Sequence, residues 1–174
     1  MRKRLSTLFT LATLAACSPA VPPAAEPPPV VAVPRPAAPR PSPYVGDWRD
    51  WPLTPGTWTY RRDARGSLAL FGQPGNDADV TLRCDSAARL LYLSRRGEVA
   101  AAMTIRTTAL TRALPTQATG GAPAYVAATL APGDALLDAI GFSRGRFIIE
   151  EAGAQPLVVP AWAEVLRTIE DCRG

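Results

Sequence analysis

Proline dominates one segment of the chain and so limits how much of the chain can fold. Eleven of the 26 residues from 18 to 43 are proline, interleaved with alanine and valine. Proline lacks a backbone N–H and has a fixed φ, so this stretch favours extended polyproline II over helix or sheet. The sequence therefore predicts a disordered linker up to residue 43, with a PxxP ligand for an aromatic groove as the alternative. Residues 44–174 remain as a single folded domain.

The N-terminus has the order of an export signal. A basic start is followed by a mostly apolar run over residues 5–14 and by small residues before a cysteine, in Leu14-Ala15-Ala16-Cys17. The run is shorter than the ~20 residues of a membrane-spanning helix. This arrangement resembles the lipobox of bacterial lipoproteins, in which residues 1–16 would be removed and Cys17 acylated.

The lipobox resemblance has two implications for the address of the protein. It implies a membrane-lipid anchor at Cys17. Because Ser18 rather than aspartate follows this cysteine, it also implies the outer membrane, with the folded domain facing the periplasm. The alternative is a plain cleavable signal peptide followed by a coincidental cysteine.

The basic character of the whole chain comes from its first residues. The chain has 19 Lys and Arg against 15 Asp and Glu. Loss of Arg2, Lys3 and Arg4 with the signal leaves 16 against 15, and the balance from Tyr44 onward is 14 against 14. A domain with equal numbers of basic and acidic side chains does not attract polyanions over long distances, so nucleic acid is not an expected partner.

Two residue types that carry much of enzyme chemistry are missing from the predicted mature chain. The chain has no histidine, and Lys3 is its only lysine. Histidine bases, Schiff-base lysines and histidine metal ligands are therefore unavailable, so we expect no metal, no cofactor and no enzyme activity. The alternative is a hydrolase that uses carboxylates alone, which needs at least two such groups in one deep pocket. Its candidates are Glu150, Glu164, Glu170 and Asp171.

Alternating apolar and polar residues predict short strands separated by turns. Between residues 57 and 106 they predict an antiparallel meander. Further strands are predicted over 125–130, 146–150 and 157–159, with a loop over 115–123 and a short helix over 135–140 that Asp134 caps. A helix over 161–172 carries an apolar stripe of Trp162, Val165, Leu166 and Ile169. The predicted fold class is therefore α+β: an antiparallel sheet that can curl into a half-barrel, covered by the C-terminal helix.

Two cysteines lie in the predicted domain, and both fall on core-facing positions. Cys84 alternates with polar residues on a strand, and Cys172 extends the stripe of the last helix. In an oxidising compartment such a pair predicts a disulfide, whereas two independent buried thiols are the alternative.

The segment Ser143-Arg144-Gly145-Arg146 is the strongest candidate binding motif. Two guanidinium groups around a glycine can bind a carboxylate or phosphate, and nearby backbone amides can donate further hydrogen bonds to it. Trp48 and Trp51 could stack on sugar rings. Together these four side chains are the candidates for an anionic-glycan site, for peptidoglycan or lipopolysaccharide, which is the alternative to an unspecified binding or structural role.

Each part of this motif has a structural alternative. Arg144 and Arg146 could instead pair with nearby acids, for which the candidates are Asp138, Glu150 and Asp171. The tryptophans could pack over the end of a sheet, or form an exposed patch with Trp58 for another envelope protein.

Several C-terminal segments carry a family resemblance. They are Leu137-Asp138-Ala139, residues 143–147, residues 160–164 and Glu170-Asp171-Cys172-Arg173. They resemble sphingomonad-type alphaproteobacterial envelope proteins, and the resemblance covers most of the chain after residue 44. It implies an exported single domain and says nothing about a substrate. The sequence thus favours a lipid-anchored envelope protein with a binding or structural role in the periplasm.

Overall fold

The computed structural model describes residues 44–174. The predicted signal peptide, the predicted acylation site at Cys17 and the proline-rich linker lie outside these residues.

The described chain consists of ten strands and two α-helices, preceded by a 3-10 turn at Trp48–Asp50. The strands are β1 (Thr57–Asp63), β2 (Gly66–Gly72), β3 (Val80–Asp85), β4 (Leu90–Arg96), β5 (Met103–Arg106), β6 (Thr111–Leu114), β7 (Gln117–Ala118), β8 (Tyr125–Leu130), β9 (Arg146–Glu151) and β10 (Leu157–Pro160). The helices are α1 (Ala135–Gly141) and α2 (Ala163–Arg173). Asp134 caps α1 as predicted, because its side chain accepts a hydrogen bond from the backbone N–H of Leu136.

The strands form two antiparallel sheets, and neither is closed into a barrel. One sheet has six strands in the order β1-β2-β3-β4-β8-β7, and the other has four in the order β10-β9-β5-β6. The predicted α+β class is confirmed. The meander ends at β4, however, because residues 97–102 carry the chain across to the second sheet, where β5 pairs with β6 and β9.

The structure adds two short strands, β6 and β7, where sequence alternation gave no signal. In β6 only Leu114 is buried, and both residues of β7 are exposed. Both strands lie at sheet edges, where burial on one face is weak and the apolar alternation of a half-buried strand is missing.

Helix α2 covers the six-stranded sheet by packing against β1, β2, β3 and β4. Val165, Ile169 and Cys172 are buried on this face, as the stripe predicted. Trp162 is not part of it. This residue precedes the helix in an extended conformation and is 45% exposed, because the helix begins only at Ala163.

A disulfide joins α2 to the sheet beneath it. The sulfur atoms of Cys84 on β3 and Cys172 on α2 are 2.20 Å apart, and their Cα atoms are 5.4 Å apart. That Cα separation is ordinary for a disulfide. The two cysteines therefore face each other as the two independent patterns predicted.

A buried ion pair connects the two sheets. Arg95 on β4 and Glu151 on β9 have side chains that are 6% and 8% exposed, and the arginine Nε lies 3.2 Å from the glutamate Oε2. Burial lowers the pKa of Arg95, and the charge of Glu151 opposes that shift. Because both side chains are almost fully buried, removal of either one would leave the other charge buried without its nearest partner.

Candidate anion-binding site

The predicted arginine motif occupies the turn between α1 and β9, and this turn is tied to a second one. The second turn, residues 107–110, connects β5 to β6. Ser143 Oγ accepts a hydrogen bond from Thr108 N at 3.2 Å and donates one to the Arg146 carbonyl at 2.5 Å. The backbone N–H of Arg144 donates to Thr108 Oγ1 at 3.2 Å. These hydrogen bonds therefore join the two turns. The backbone N–H of Arg144 already has an acceptor in Thr108.

The residues before β1 lie against the same end of the molecule. We call residues 44–56 the strap. Thr54 N donates to the Val158 carbonyl at 2.9 Å, and Val158 N donates to Thr54 Oγ1 at 2.9 Å. The Arg146 guanidinium donates to the backbone carbonyl of Trp51. These contacts fasten the strap to β9 and β10 and bring Arg49 toward the two turns.

A cavity of about 450 Å³ opens between the strap and the two turns. Its lining consists of Arg49, Thr108, Ala109, Arg144 and Arg146. This is within the ordinary size range of small-molecule sites. The structure thus brings both predicted arginines to one cavity and adds a third.

The guanidinium groups of Arg144 and Arg146 form no salt bridge with any carboxylate of residues 44–174, whereas nine of the fourteen arginines in this range do. Arg49 is paired only weakly, since its Nη1 lies 3.4 Å from an exposed Asp47. At this cavity the positive charges of Arg144 and Arg146 therefore have no carboxylate partner among residues 44–174, whereas the charge of Arg49 is partly compensated by Asp47.

The alternative that Arg144 and Arg146 pair with nearby acids is wrong. Each acid named for that role takes a different arginine. Asp138 pairs with Arg173 at 2.7 Å, Glu150 with Arg106 at 3.0 Å and Asp171 with Arg62 at 2.6 Å.

The tryptophans predicted to help bind glycan lie near the cavity but not in its lining. The Trp48 ring centroid is 4.8 Å from the Arg49 guanidinium carbon, and Trp51 stacks against Tyr44 with ring centroids 5.0 Å apart. Trp48 therefore contacts a residue of the lining, and the backbone carbonyl of Trp51 accepts a hydrogen bond from another, Arg146. Trp58 is buried in the core and donates to the Pro160 carbonyl at 2.8 Å, so it cannot belong to an exposed aromatic patch.

A second cavity, of about 370 Å³, bears on the carboxylate-hydrolase hypothesis. Asp63 and Asp171 both line it, whereas Glu150, Glu164 and Glu170 do not. The Arg83 guanidinium lowers the pKa of Asp63 to about 2.

The pKa of Asp171 shifts in the same direction. Burial opposes its ionisation, but hydrogen bonds from Tyr60 and Arg62 outweigh burial and lower the pKa. A general acid needs the opposite shift, so this cavity does not supply one.

Two kinds of feature are absent from residues 44–174. No group of three or more His, Cys, Asp and Glu side chains is placed to hold a metal ion. In the same residues, no helix combines the length and apolar character needed to cross a bilayer.

Comparison of the chain with models of known protein families, with curated proteins and with solved structures finds no match.

Sequence analysis missed Arg49 and Thr108. Arg49 is separated from Arg146 by 97 positions and sits among acids in Asp47-Trp48-Arg49-Asp50, which suggests only local pairing. Thr108 belongs to a turn with no charged side chain. Only the tertiary contacts that join the strap and the two turns place both residues at the cavity.

Proposed function

We propose that this chain is a lipid-anchored cell-envelope protein that binds an anionic glycan, peptidoglycan or lipopolysaccharide, through Arg144 and Arg146, with Arg49 at the same cavity. One observation carries the proposal. Arg144 and Arg146 line a cavity of about 450 Å³ and have no carboxylate partner among residues 44–174. The proposed role is binding rather than catalysis.

The physical argument is one of unmatched charge. Like charges held close together repel, and an anion placed between them removes that repulsion while accepting charge-assisted hydrogen bonds. The guanidinium fork matches two oxygens of a carboxylate or phosphate. A rigid pair of turns keeps the arginine backbones in place before the ligand arrives, so little ordering is required on binding.

The proposed address rests on Leu14-Ala15-Ala16-Cys17, with acylation of Cys17 and residence at the outer membrane on the periplasmic side. The disulfide between Cys84 and Cys172 supports this address, because such bonds persist in oxidising compartments. A proline-rich linker of 26 residues, at ~3.1 Å per residue, would span up to roughly 80 Å. That reach would let an anchored domain contact glycan away from the bilayer.

The binding proposal is tested by co-sedimentation with isolated peptidoglycan sacculi and by capture on immobilised lipopolysaccharide, at fixed ionic strength. We expect Arg144→Gln/Arg146→Gln to lower retention on at least one polymer by about tenfold or more. The matched control is Arg61→Gln/Arg89→Gln, which removes the same charge from two exposed arginines that form no salt bridge within residues 44–174. Equal retention of the two double variants would contradict the site.

The address is tested separately by metabolic labelling with a clickable fatty acid. We expect label on the wild-type chain and none on Cys17→Ser. A wild-type chain that stays unlabelled would contradict the anchor and leave the cavity proposal standing.

A further inference from the structure

The polar groups lining the arginine cavity are hydrogen-bond donors. Three are guanidinium groups: that of Arg144, that of Arg146, which also donates to the Trp51 carbonyl, and that of Arg49, which also donates to Asp47. The fourth is the hydroxyl of Thr108. Its oxygen accepts from the backbone N–H of Arg144, which leaves its proton free to donate. No carboxylate is part of this lining, so the complement of the cavity is a group that offers only acceptors.

Given the glycan-binding function proposed above, on which this inference rests, we propose that the cavity holds the phosphate monoester group of its ligand rather than a sugar carboxylate. A carboxylate has two oxygens and one charge, which a single guanidinium fork satisfies. A phosphate monoester has three terminal oxygens and a charge of about −1.5 to −2 at neutral pH. Arg144 and Arg146 together supply two unmatched positive charges, and Thr108 supplies a further donor.

The separate origins of the donors explain why the shape of the anion matters. Arg49 comes from the strap, Thr108 from the turn after β5, and Arg144 and Arg146 from the turn before β9. They therefore surround the cavity from three segments. A tetrahedral group has oxygens in several directions and can accept hydrogen bonds from donors on all three segments. A planar carboxylate can accept from donors on only one or two of them.

The absence of histidine makes the distinction measurable by pH. Histidine is the side chain whose ordinary pKa lies between 5 and 8, and the chain has none. A phosphate monoester gives up its second proton with a pKa of ~6, so its second negative charge is lost as the pH falls below that value. The affinity for a sugar phosphate should therefore fall several-fold from pH 7.5 to pH 5, whereas the affinity for a sugar carboxylate should stay flat because that group remains ionised.

The experiment is calorimetry on the full chain in nonionic detergent, with glucose 1-phosphate and glucuronate as probes at matched ionic strength. We expect glucose 1-phosphate to bind about tenfold more tightly at pH 7.5, and we expect Arg144→Gln/Arg146→Gln to abolish this preference. Arg144→Lys/Arg146→Lys keeps the charge without the fork and should retain only part of it. Arg61→Gln/Arg89→Gln should bind as wild type.

Two further arms identify the source of the phosphate. Inorganic phosphate tests the free ion, and vesicles containing phosphatidic acid test a lipid headgroup. Binding of either probe that depends on Arg144 and Arg146 supports the phosphate assignment and names the source.

The outcomes separate this inference from the proposed function. Glucuronate binding that equals or exceeds glucose 1-phosphate binding overturns the phosphate assignment, even when retention on glycan still depends on the arginines. Glucose 1-phosphate binding that is unchanged in the Arg144→Gln/Arg146→Gln variant also overturns it. Arginine-dependent phosphate binding without retention on either polymer supports the phosphate assignment and overturns the glycan proposal.

Discussion

The face of the domain around α2 and the end around the arginine cavity differ in whether their charged side chains are paired. Near α2, Asp171 accepts hydrogen bonds from Tyr60 and Arg62, both at 2.6 Å, and a disulfide lies at the same face. At the cavity, Arg144 and Arg146 meet no carboxylate of the described residues. The contrast shows that the first region pairs its charges within the fold, whereas Arg144 and Arg146 in the second have no carboxylate partner among residues 44–174, which is the basis of the proposed binding role.

The largest expected effect concerns the stabilising region. Cys84→Ala/Cys172→Ala removes a bond between residues 88 positions apart. In the chain-entropy model this lowers the free energy of unfolding by roughly 4.5 kcal/mol. Urea unfolding of both proteins checks the loss, and reduction of the wild type should reproduce it. Equal stability of the two proteins would show that the bond does not form in solution.

A somewhat smaller loss is expected at the buried ion pair that joins the sheets. Glu151→Gln removes the nearest counter-charge of the buried Arg95 guanidinium and should cost about 3 kcal/mol, since Asp79 is left as a more distant negative charge. The matched control is Glu98→Gln, which changes an exposed glutamate that forms no salt bridge within residues 44–174. Thermal unfolding measures both, and a loss from the control as large as that from Glu151→Gln would contradict a special role for the pair.

The two regions should also differ in their response to pH. The pKa of Asp63 is about 2 in the fold, below its ordinary value of 3.8, because Arg83 and the backbone N–H of Arg65 bond to the charged form. This stabilisation is complete above the ordinary pKa and is lost as pH falls through 3.8 toward 2.

Urea midpoints at pH 5, 3.5 and 2 should therefore fall, and Asp63→Asn should show a shallower fall. Ligand binding at the cavity, in contrast, should change near pH 6. Identical pH profiles for wild type and Asp63→Asn would contradict the Asp63 contribution.

The smallest expected effect is on the stability of the arginine variant. Arg144→Gln/Arg146→Gln should lower the free energy of unfolding by only about 1 kcal/mol, because neither guanidinium pairs with a carboxylate of the described fold and a single hydrogen bond, from Arg146 to the Trp51 carbonyl, is lost. Chemical unfolding checks this value. A loss above 2 kcal/mol would mean that the hydrogen bond from Arg146 to the Trp51 carbonyl is a major structural contact, and would weaken the comparison.

Local patterns predicted the parts of the molecule that have a strict period. The stripe on α2 and the alternation around Cys84 were enough to predict that the two cysteines meet, because burial fixes which side chains face the core. The arginine motif was also visible, since its two charges are only two positions apart. Its surroundings were not, because Arg49 and Thr108 reach the cavity through contacts between distant segments.

The division into two sheets was beyond sequence reasoning for a similar reason. Alternation in β5 shows that Met103 and Ile105 are buried, but it does not show which strand lies beside them. Pairing is decided by how residues 97–102 direct the chain. The exposed edge strands β6 and β7 have too few buried residues to produce a pattern.

The disulfide also divides the cavity wall by covalent topology. The ring that it closes, from Cys84 to Cys172, contains Thr108, Arg144 and Arg146, whereas Arg49 lies outside it. A single protease cut between residues 97 and 102 would open the ring without releasing any piece, so the nicked domain should migrate intact on a nonreducing gel. All four donors would stay covalently joined after such damage, and only a cut between Arg49 and Cys84 would separate the strap from the rest of the site.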